Sequence, residues 1–433
     1  MQKGHFSFSD KIKVTTKNDE LEGIFIPSQT QDKITLKLDS GYNLSIKKSD
    51  IKSIKLIEKR KKEKKVKTKI KYNKSLPTIT ILHTGGTISS KVSYDTGAVA
   101  AQFSPLEILE KFPELKNIVN IRSELISNIL SENIRFHNYN IISKAIEKEL
   151  KHNIKGIIVA HGTDTLHYTS AALAFILENI NIPVILVGAQ RSSDRPSTDA
   201  TQNLIHAARF IKETDFKGVA ICSHASPNDT SSIILPACKT RKLHTSRRDA
   251  FQPINASPIA TIDEKITFLT KQHEPEKEFK LKPIKEHLKI GILKTHPNLY
   301  AKEIENYKNF GALIIEGTGL GHAPIEKIDQ KSSENTKILD AIKKLAKKIP
   351  VIMTSQCLFG TVNMNVYSTG RKLLEVGVLN NNSDISTETA FIKAAWLLSN
   401  HKNEFYSLWN KNLRGELNER ILLNHYLDVM GGN

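Results

Sequence analysis

Two short stretches set threonine beside glycine at the end of an apolar run. In ILHTGGTISS, residues 81–90, the run leads into Thr84-Gly85-Gly86-Thr87. In GIIVAHGTDT, residues 156–165, it leads into Gly162-Thr163-Asp164-Thr165. Adjacent glycines permit positive φ and bring no side chain of their own, so the Thr87 hydroxyl stands unscreened. A phosphate cradle is excluded, because the first stretch has neither the Gly-Lys-Ser/Thr ending of a P-loop nor the spacing G-x-G-x-x-G. The chemistry left is that of a hydroxyl, a weak nucleophile at neutral pH that needs a base. CKTRKLHTSRRDAF offers two amines for that role, Lys239 and Lys242. An amine is a base only while neutral, a state that burial favours and a neighbouring carboxylate opposes. Alone, the first stretch reads as a capped glycine turn and Thr163-Asp164 as a helix N-cap. Together they put two hydroxyls and a carboxylate at one edge of one sheet.

The elements that must hold these residues are short apolar strands alternating with amphipathic helices. TITIL (78–82), GIIVA (156–160), PVILVG (183–188) and GVAIC (218–222) predict an α/β domain with a largely parallel sheet. Ligands of such sheets sit outside the carboxyl ends of the strands, which is where both threonine stretches fall. KIGILK, GALIIEG and PVIMTS, again separated by helical patterns, predict a smaller second α/β domain. Before the first strand, residues 11–57 alternate apolar and polar positions (Ile12, Val14; Ile24, Ile26; Ile34, Leu36, Leu38), as a small all-β barrel of SH3 or Sm size would. Nine of the thirteen residues from Lys59 to Lys71 are Lys or Arg, a self-repelling run that marks a linker, with a phosphate-binding arm as the functional alternative. The expected organisation is a β-barrel over 1–58, a basic linker over 59–75, a catalytic α/β domain over 76–280 and a smaller α/β domain over 281–433. The charged, Pro-bearing HEPEKEFKLKPIKEH near Leu281 reads as a second linker.

Composition narrows the class. Apolar residues make up 39% and charged residues 25% of the 433, as in an ordinary soluble globular chain. The net charge of +18 suits a partner such as tRNA, though a Lys-rich coding bias gives the same number. Cys222, Cys238 and Cys357 lie far apart with no C-x-x-C pair, so no metal ligand set or redox couple is expected. MQKGHFSFSDK has no apolar core of signal-peptide length, and no run of about 18 apolar residues occurs. The expectation is a cytoplasmic protein.

TGGTI, HGTDT, GAQR with its following Asp-bearing loop, and K-x-H-T-S before an aromatic resemble the L-asparaginase family of threonine amidohydrolases, over residues 77 to about 425. RSSDRPSTDA, KLHTSRRDAF, EGTGLGHAP and SQC…NVYSTGR, with the small N-terminal β domain, are similar more narrowly to the GatD branch, part of the archaeal glutamyl-tRNA(Gln) amidotransferases. The resemblance implies a catalytic tetrad of Thr87 as nucleophile with Thr163, Asp164 and Lys242. It implies a flap tyrosine at Tyr94, substrate contacts at Ser131 and Glu132, and an oxyanion held by backbone N–H groups near Gly86 and Thr163. It further implies glutaminase chemistry, no cofactor on this chain, ATP and Mg at a partner, GatE, and conversion of Glu-tRNA(Gln) to Gln-tRNA(Gln) by a heterotetramer with a homodimeric core. Phe359 departs from the pattern, in which a tryptophan commonly follows this region.

Three rivals follow from the same residues. A free-standing asparaginase or glutaminase has the same chemistry but no use for the N-terminal barrel. A non-catalytic RNA-binding protein on this scaffold accounts for the charge but not for four catalytic residue types. A Cys-His glutaminase would use Cys357, although strand-end cysteines are more often buried and inert.

Overall fold

The structure is a computed structural model that describes residues 7, 10–26, 28, 30, 32–38, 43–59, 72–85, 90–92, 99–101, 104–191, 198–271, 275, 277–422 and 425–426. Strands β1 (Lys11–Thr16), β2 (Glu20–Ile26), β3 (Lys33–Lys37), β4 (Asn43–Lys47) and β5 (Ile51–Glu58) form an antiparallel sheet in the order β4-β3-β2-β1-β5. Its last strand returns to its first, as a small barrel requires. Alternation selects its core, with Ile12, Val14, Ile34, Leu36 and Ile46 buried together.

The second sheet carries the candidate site. Strand β6 (Thr78–His83) is followed by a short hairpin, β7 (Ser90–Val92) and β8 (Val99–Ala101), then by β9 (Asn120–Leu125) and β10 (Gly156–Ala160). Beyond β11 (Leu177–Glu178) come β12 (Pro183–Val187) and β13 (Gly218–His224). Strands β9, β6, β10, β12 and β13 lie side by side and parallel. Every residue of β10 and β12 is buried, as continuous Val/Ile/Leu runs demand when both faces are covered. Helices α1 (Pro105–Lys111) and α4 (Ala200–Glu213) cover one face, and α2 (Phe136–Glu149) and α3 (Leu166–Ile176) the other.

One expectation fails at GVAIC, which no helix follows. The turn Pro227-Asn228-Asp229 sends the chain back as β14 (Ser232–Pro236), antiparallel to β13. After a hairpin of β15 (Thr240–Lys242) and β16 (Phe251–Pro253), β17 (Ala260–Ile262) and β18 (Ile266–Phe268) complete a mixed sheet of eight strands.

The stretch read as a second linker is anchored at its middle. Strand β19 (Lys280–Leu281) pairs with β11, and Lys282 Nζ lies 2.8 Å from Glu178. The last unit has three parallel strands, β20 (Ile290–Lys294), β21 (Ala312–Gly317) and β22 (Val351–Ser355), with helices α5 (Ala301–Glu305), α6 (Glu334–Ala346), α7 (Ser368–Glu375), α8 (Thr387–Asn400) and α9 (Phe405–Trp409). Helix α8 joins the units. Its Ala390, Ala394 and Trp396 share one buried cluster with Ala171, Ala172 and Phe175 of α3, the Phe175 and Trp396 rings 5.4 Å apart.

Candidate active site

Strands β6 and β10 are neighbours, and their pairing puts His83 opposite Ala160, so the two threonine stretches leave the sheet side by side. Thr84 is framework. Its N–H and its hydroxyl both donate to the Ala160 carbonyl at 3.1 Å, and its own carbonyl accepts from the Ile129 N–H and the Ser127 hydroxyl at 3.0 Å. Gly85 has φ +108°, and a Cβ there would fall 2.5 Å from the Ile129 carbonyl oxygen, so only glycine fits. Gly86, Thr87 and Tyr94, expected as oxyanion support, nucleophile and flap residue, lie outside the described residues.

The other three tetrad positions meet. Lys242 Nζ donates to Thr163 Oγ1 and to Asp164 Oδ1, each at 2.8 Å. Lys242 comes from the end of β15, 79 residues from Thr163, and its side chain is 11% exposed while that of Asp164 is 63% exposed. The triangle is therefore covered on the lysine side and open on the carboxylate side. Thr163 is no helix cap. The N-cap position of α3 falls on Thr165, whose hydroxyl donates instead to the Ser131 carbonyl at 2.6 Å.

Ser131 is buried, and its hydroxyl accepts the Asp164 N–H at 3.2 Å. A Cβ on Gly162 would approach its Cβ and Oγ to 2.8 Å. Ser131 thus braces the loop that carries Thr163 and Asp164, while Glu132 beside it is exposed. His161 Nδ1 lies 2.6 Å from the Gly162 carbonyl, so that nitrogen bears the proton and Nε2 accepts from Thr169, 2.9 Å away. Complete burial pushes its pKa down to about 4, which keeps this strut neutral.

Sequence reasoning missed several supports. A Cβ on Gly188, just past β12, would meet Thr163 Cγ2 and Leu166 Cδ1 at 2.9 Å, so this glycine sets where Thr163 sits. Buried Asp199 accepts the Gln190 and Arg191 N–H groups at 2.9 and 3.0 Å and fixes the end of GAQR, where an Asp-bearing loop was the only visible signal. His167, the second residue of α3, is buried near Lys242 and Asp164. Desolvation first, then the charges of Arg241 and Lys242, push its pKa down to about 3, and its Nδ1 has no hydrogen-bond partner among the described residues. No periodicity marks any of these positions.

Of the two amines the sequence offered, Lys239 goes elsewhere, buried against Asp384 Oδ2 at 2.5 Å. Cys357 corrects an expectation. It is exposed on the turn after β22, because Ser355 Oγ accepts its N–H at 3.0 Å and turns the chain outward. The buried ones are Cys222 and Cys238, whose thiol pKa values desolvation pushes up. Phe359 packs edge-on against Tyr426, ring centroids 5.1 Å apart. Among the described residues no three His, Cys, Asp or Glu side chains gather as a metal site would need, and no helix is long and apolar enough to cross a membrane.

Three family models match the chain: Asparaginase, N-terminal, over residues 78–274; Glutaminase/Asparaginase C-terminal domain, over 289–405; and GatD N-terminal domain, over 6–57. The GatD protein of Pyrococcus furiosus, a glutamyl-tRNA(Gln) amidotransferase component, is 40% identical, with 98% of each chain covered. The chain belongs to the GatD family of glutamyl-tRNA(Gln) amidotransferases. Another GatD, from Sulfolobus acidocaldarius, is 39% identical over 98% of this chain and 94% of its own. Among solved structures, the thermostable L-asparaginase of Thermococcus kodakarensis superposes with a TM-score of 0.71 at 28% identity, covering 79% of this chain and all of that one. L-asparaginase I of Vibrio cholerae gives 0.69 at 26% identity over 79% of this chain and 99% of its own. The GatD family therefore shares the asparaginase fold.

Proposed function

We propose that this chain is the ammonia-generating component of a glutamyl-tRNA(Gln) amidotransferase. It hydrolyses the side-chain amide of glutamine and passes the ammonia to a partner, GatE. That partner, with ATP and Mg, activates the γ-carboxylate of glutamate already esterified to tRNA(Gln). The observation that carries the reading is the triangle of Thr163, Asp164 and Lys242, set one strand away from the Thr84-Gly85 turn. It sits in a chain that is similar to GatD relatives from end to end.

In this reading Thr87 attacks the carboxamide carbon. Thr163 Oγ1 accepts from Lys242, which leaves the Thr163 hydroxyl proton free to turn toward the reacting atoms. Lys242, in its neutral form, takes the nucleophile's proton directly or through Thr163 and returns it to the nitrogen as the C–N bond breaks and ammonia leaves; a water, deprotonated by the same groups, then cleaves the Thr87 ester, releasing glutamate and restoring the threonine hydroxyl. Backbone N–H groups near Gly86 and Thr163 hold the oxyanion, support worth about 3–4 kcal/mol in sites of this kind. Asp164, open to solvent on one side, orients Lys242 and takes the substrate ammonium. Glu132 stands ready for the same α-amino group, and Ser131 acts through the loop it braces. The working assembly is a homodimeric core with two GatE chains in the cytoplasm.

The test is ammonia release from glutamine, with and without GatE and Glu-tRNA(Gln), in wild type and Thr87→Ala. Turnover is expected to be low for the isolated chain, to rise in the complex, and to vanish in the variant. Equal turnover with and without the partner would refute the coupling. Full activity of Thr87→Ala would refute threonine chemistry, and loss of activity on alkylating exposed Cys357 would favour its rival.

A further inference from the structure

Strand β15 carries Lys242 at its end, and successive residues on a strand point to opposite faces. Lys242 and Thr240 face the first unit, toward Thr163 Oγ1 and the Pro236 carbonyl respectively. Lys239 and Arg241 face the other way, and both find carboxylates of the last unit. Lys239 Nζ donates to the Asp384 carbonyl at 3.1 Å and to its Oδ2 at 2.5 Å, with both side chains almost wholly buried. Arg241 Nη1 lies 3.1 Å from Oε1 of Glu388 at the start of α8.

Asp384 is itself clamped. Asn418, in the segment after α9, gives its backbone N–H to Asp384 Oδ1 at 3.1 Å and its amide to Asp384 Oδ2 at 2.8 Å. Asn255, just past β16, links the same site to Gly360 of the last unit, where each donates to the other at 3.1 and 2.9 Å. A hairpin of two short strands would not hold a catalytic amine to a fraction of an ångström by itself. Here alternate residues fasten it to the neighbouring unit while the residues between them reach into the site.

We infer that Asp384 and Glu388 are positioning residues for Lys242, and that the docking of the last unit on the catalytic sheet sets the turnover of the site. This rests on the glutaminase reading above. Either ion pair, if broken, lets the β15 hairpin drift, and the loss falls on the chemical step and not on substrate binding. A partner that seats on the last unit and tightens this joint raises turnover without touching glutamine.

Asp384→Asn and Glu388→Gln keep shape and remove charge. The assay is steady-state glutamine hydrolysis by the full chain in its complex, with thermal melts as a folding control. Both variants are expected to lose about tenfold or more in kcat with KM within about twofold, a split that a merely structural role does not produce. Arg241→Lys is expected to keep most of the kcat that Arg241→Met loses. Should Asp384→Asn fail to fold, the partly exposed Arg241–Glu388 pair decides alone. Wild-type kcat in the folded charge variants, or equal loss in Arg241→Lys and Arg241→Met, overturns the inference. Wild type and Lys242→Met separate the two levels: if the wild type releases no ammonia the glutaminase reading fails, if Lys242→Met stays active the role of Lys242 fails and the positioning role with it, and if Lys242→Met is dead while the charge variants are unimpaired only the positioning role fails.

Discussion

Gly188 allows the site to be disturbed from behind, with no reacting group altered. A Cβ there would sit 2.9 Å from both Thr163 Cγ2 and Leu166 Cδ1. Carbons in ordinary contact stand about 3.5–4.0 Å apart, so Gly188→Ala must move each of the two groups, or its own backbone, by at least about half an ångström. Leu166 is fully buried at the start of α3 and can turn only the tip of its side chain, whereas Thr163 is only partly covered and shifts more readily. Overpacking of this size costs about 1–3 kcal/mol of stability. Moving Thr163 also disturbs its 2.8 Å bond to Lys242. Misplacement by about 1 Å can cost about 100-fold in rate, so the smaller shift here predicts a kcat loss of about tenfold. Ammonia release at saturating glutamine measures the loss, and a melt confirms that the variant is folded. Removing the methyl that is struck should restore activity, because Gly188→Ala with Thr163→Ser keeps the hydroxyl and makes room. A double variant no more active than the single, or a folded single variant at the wild-type rate, would refute the packing argument.

Lys242→Met should remove glutaminase activity to the limit of the same assay while leaving the melt nearly unchanged. Thr84→Val should cost about 1 kcal/mol through its lost bond to Ala160 and leave the chemistry running, in contrast to Thr87→Ala. Lys393→Met strands Glu416, its fully buried partner at 2.7 Å, and should cost about 3–5 kcal/mol in a denaturant titration. Acid should destabilise the chain early. Burial lowers the pKa of His83 to about 3, of His161 to about 4 and of His167 to about 3, from 6.5. Below pH 6.5 the unfolded chain takes up protons that the folded one refuses, so stability is full above that value and falls as pH drops toward 4. The slope is about 1.4 kcal/mol per pH unit for each site. A melting temperature that stays flat from pH 7 to pH 4.5 would contradict this.

The threonine stretches were legible because each combines two local signals, an apolar run buried in a parallel sheet and small residues at its carboxyl end. The alternating pattern of the N-terminal sheet was legible for the same reason: period two is written in every strand. What stayed hidden depends on pairs far apart in the chain. Lys239 and Lys242 look alike in KTRKLH; the family resemblance favoured Lys242, but the physical difference lies in their partners, Asp384 at a separation of 145 residues and Thr163 at 79. Gly188 reads as an ordinary strand-end glycine until Thr163 is seen against it. The mixed sheet escaped because SIILP is too short an apolar run to declare its direction. Ser131 was expected to touch substrate, and its hydroxyl oxygen also accepts the Asp164 N–H, a bond that no sequence spacing reveals.

The clamp on Asp384 also bears on how the protein is made. Synthesis runs from the N-terminus, and domains fold as they emerge. Strands β6 to β18 can assemble with Lys242 already present, but Asp384 comes much later, and Asn418, which completes its hydrogen bonds, later still. By the positioning inference, a nascent chain on the ribosome therefore holds its amine loosely until Asp384 and Asn418 have emerged. Glutamine is spared from any copy that still lacks its last unit.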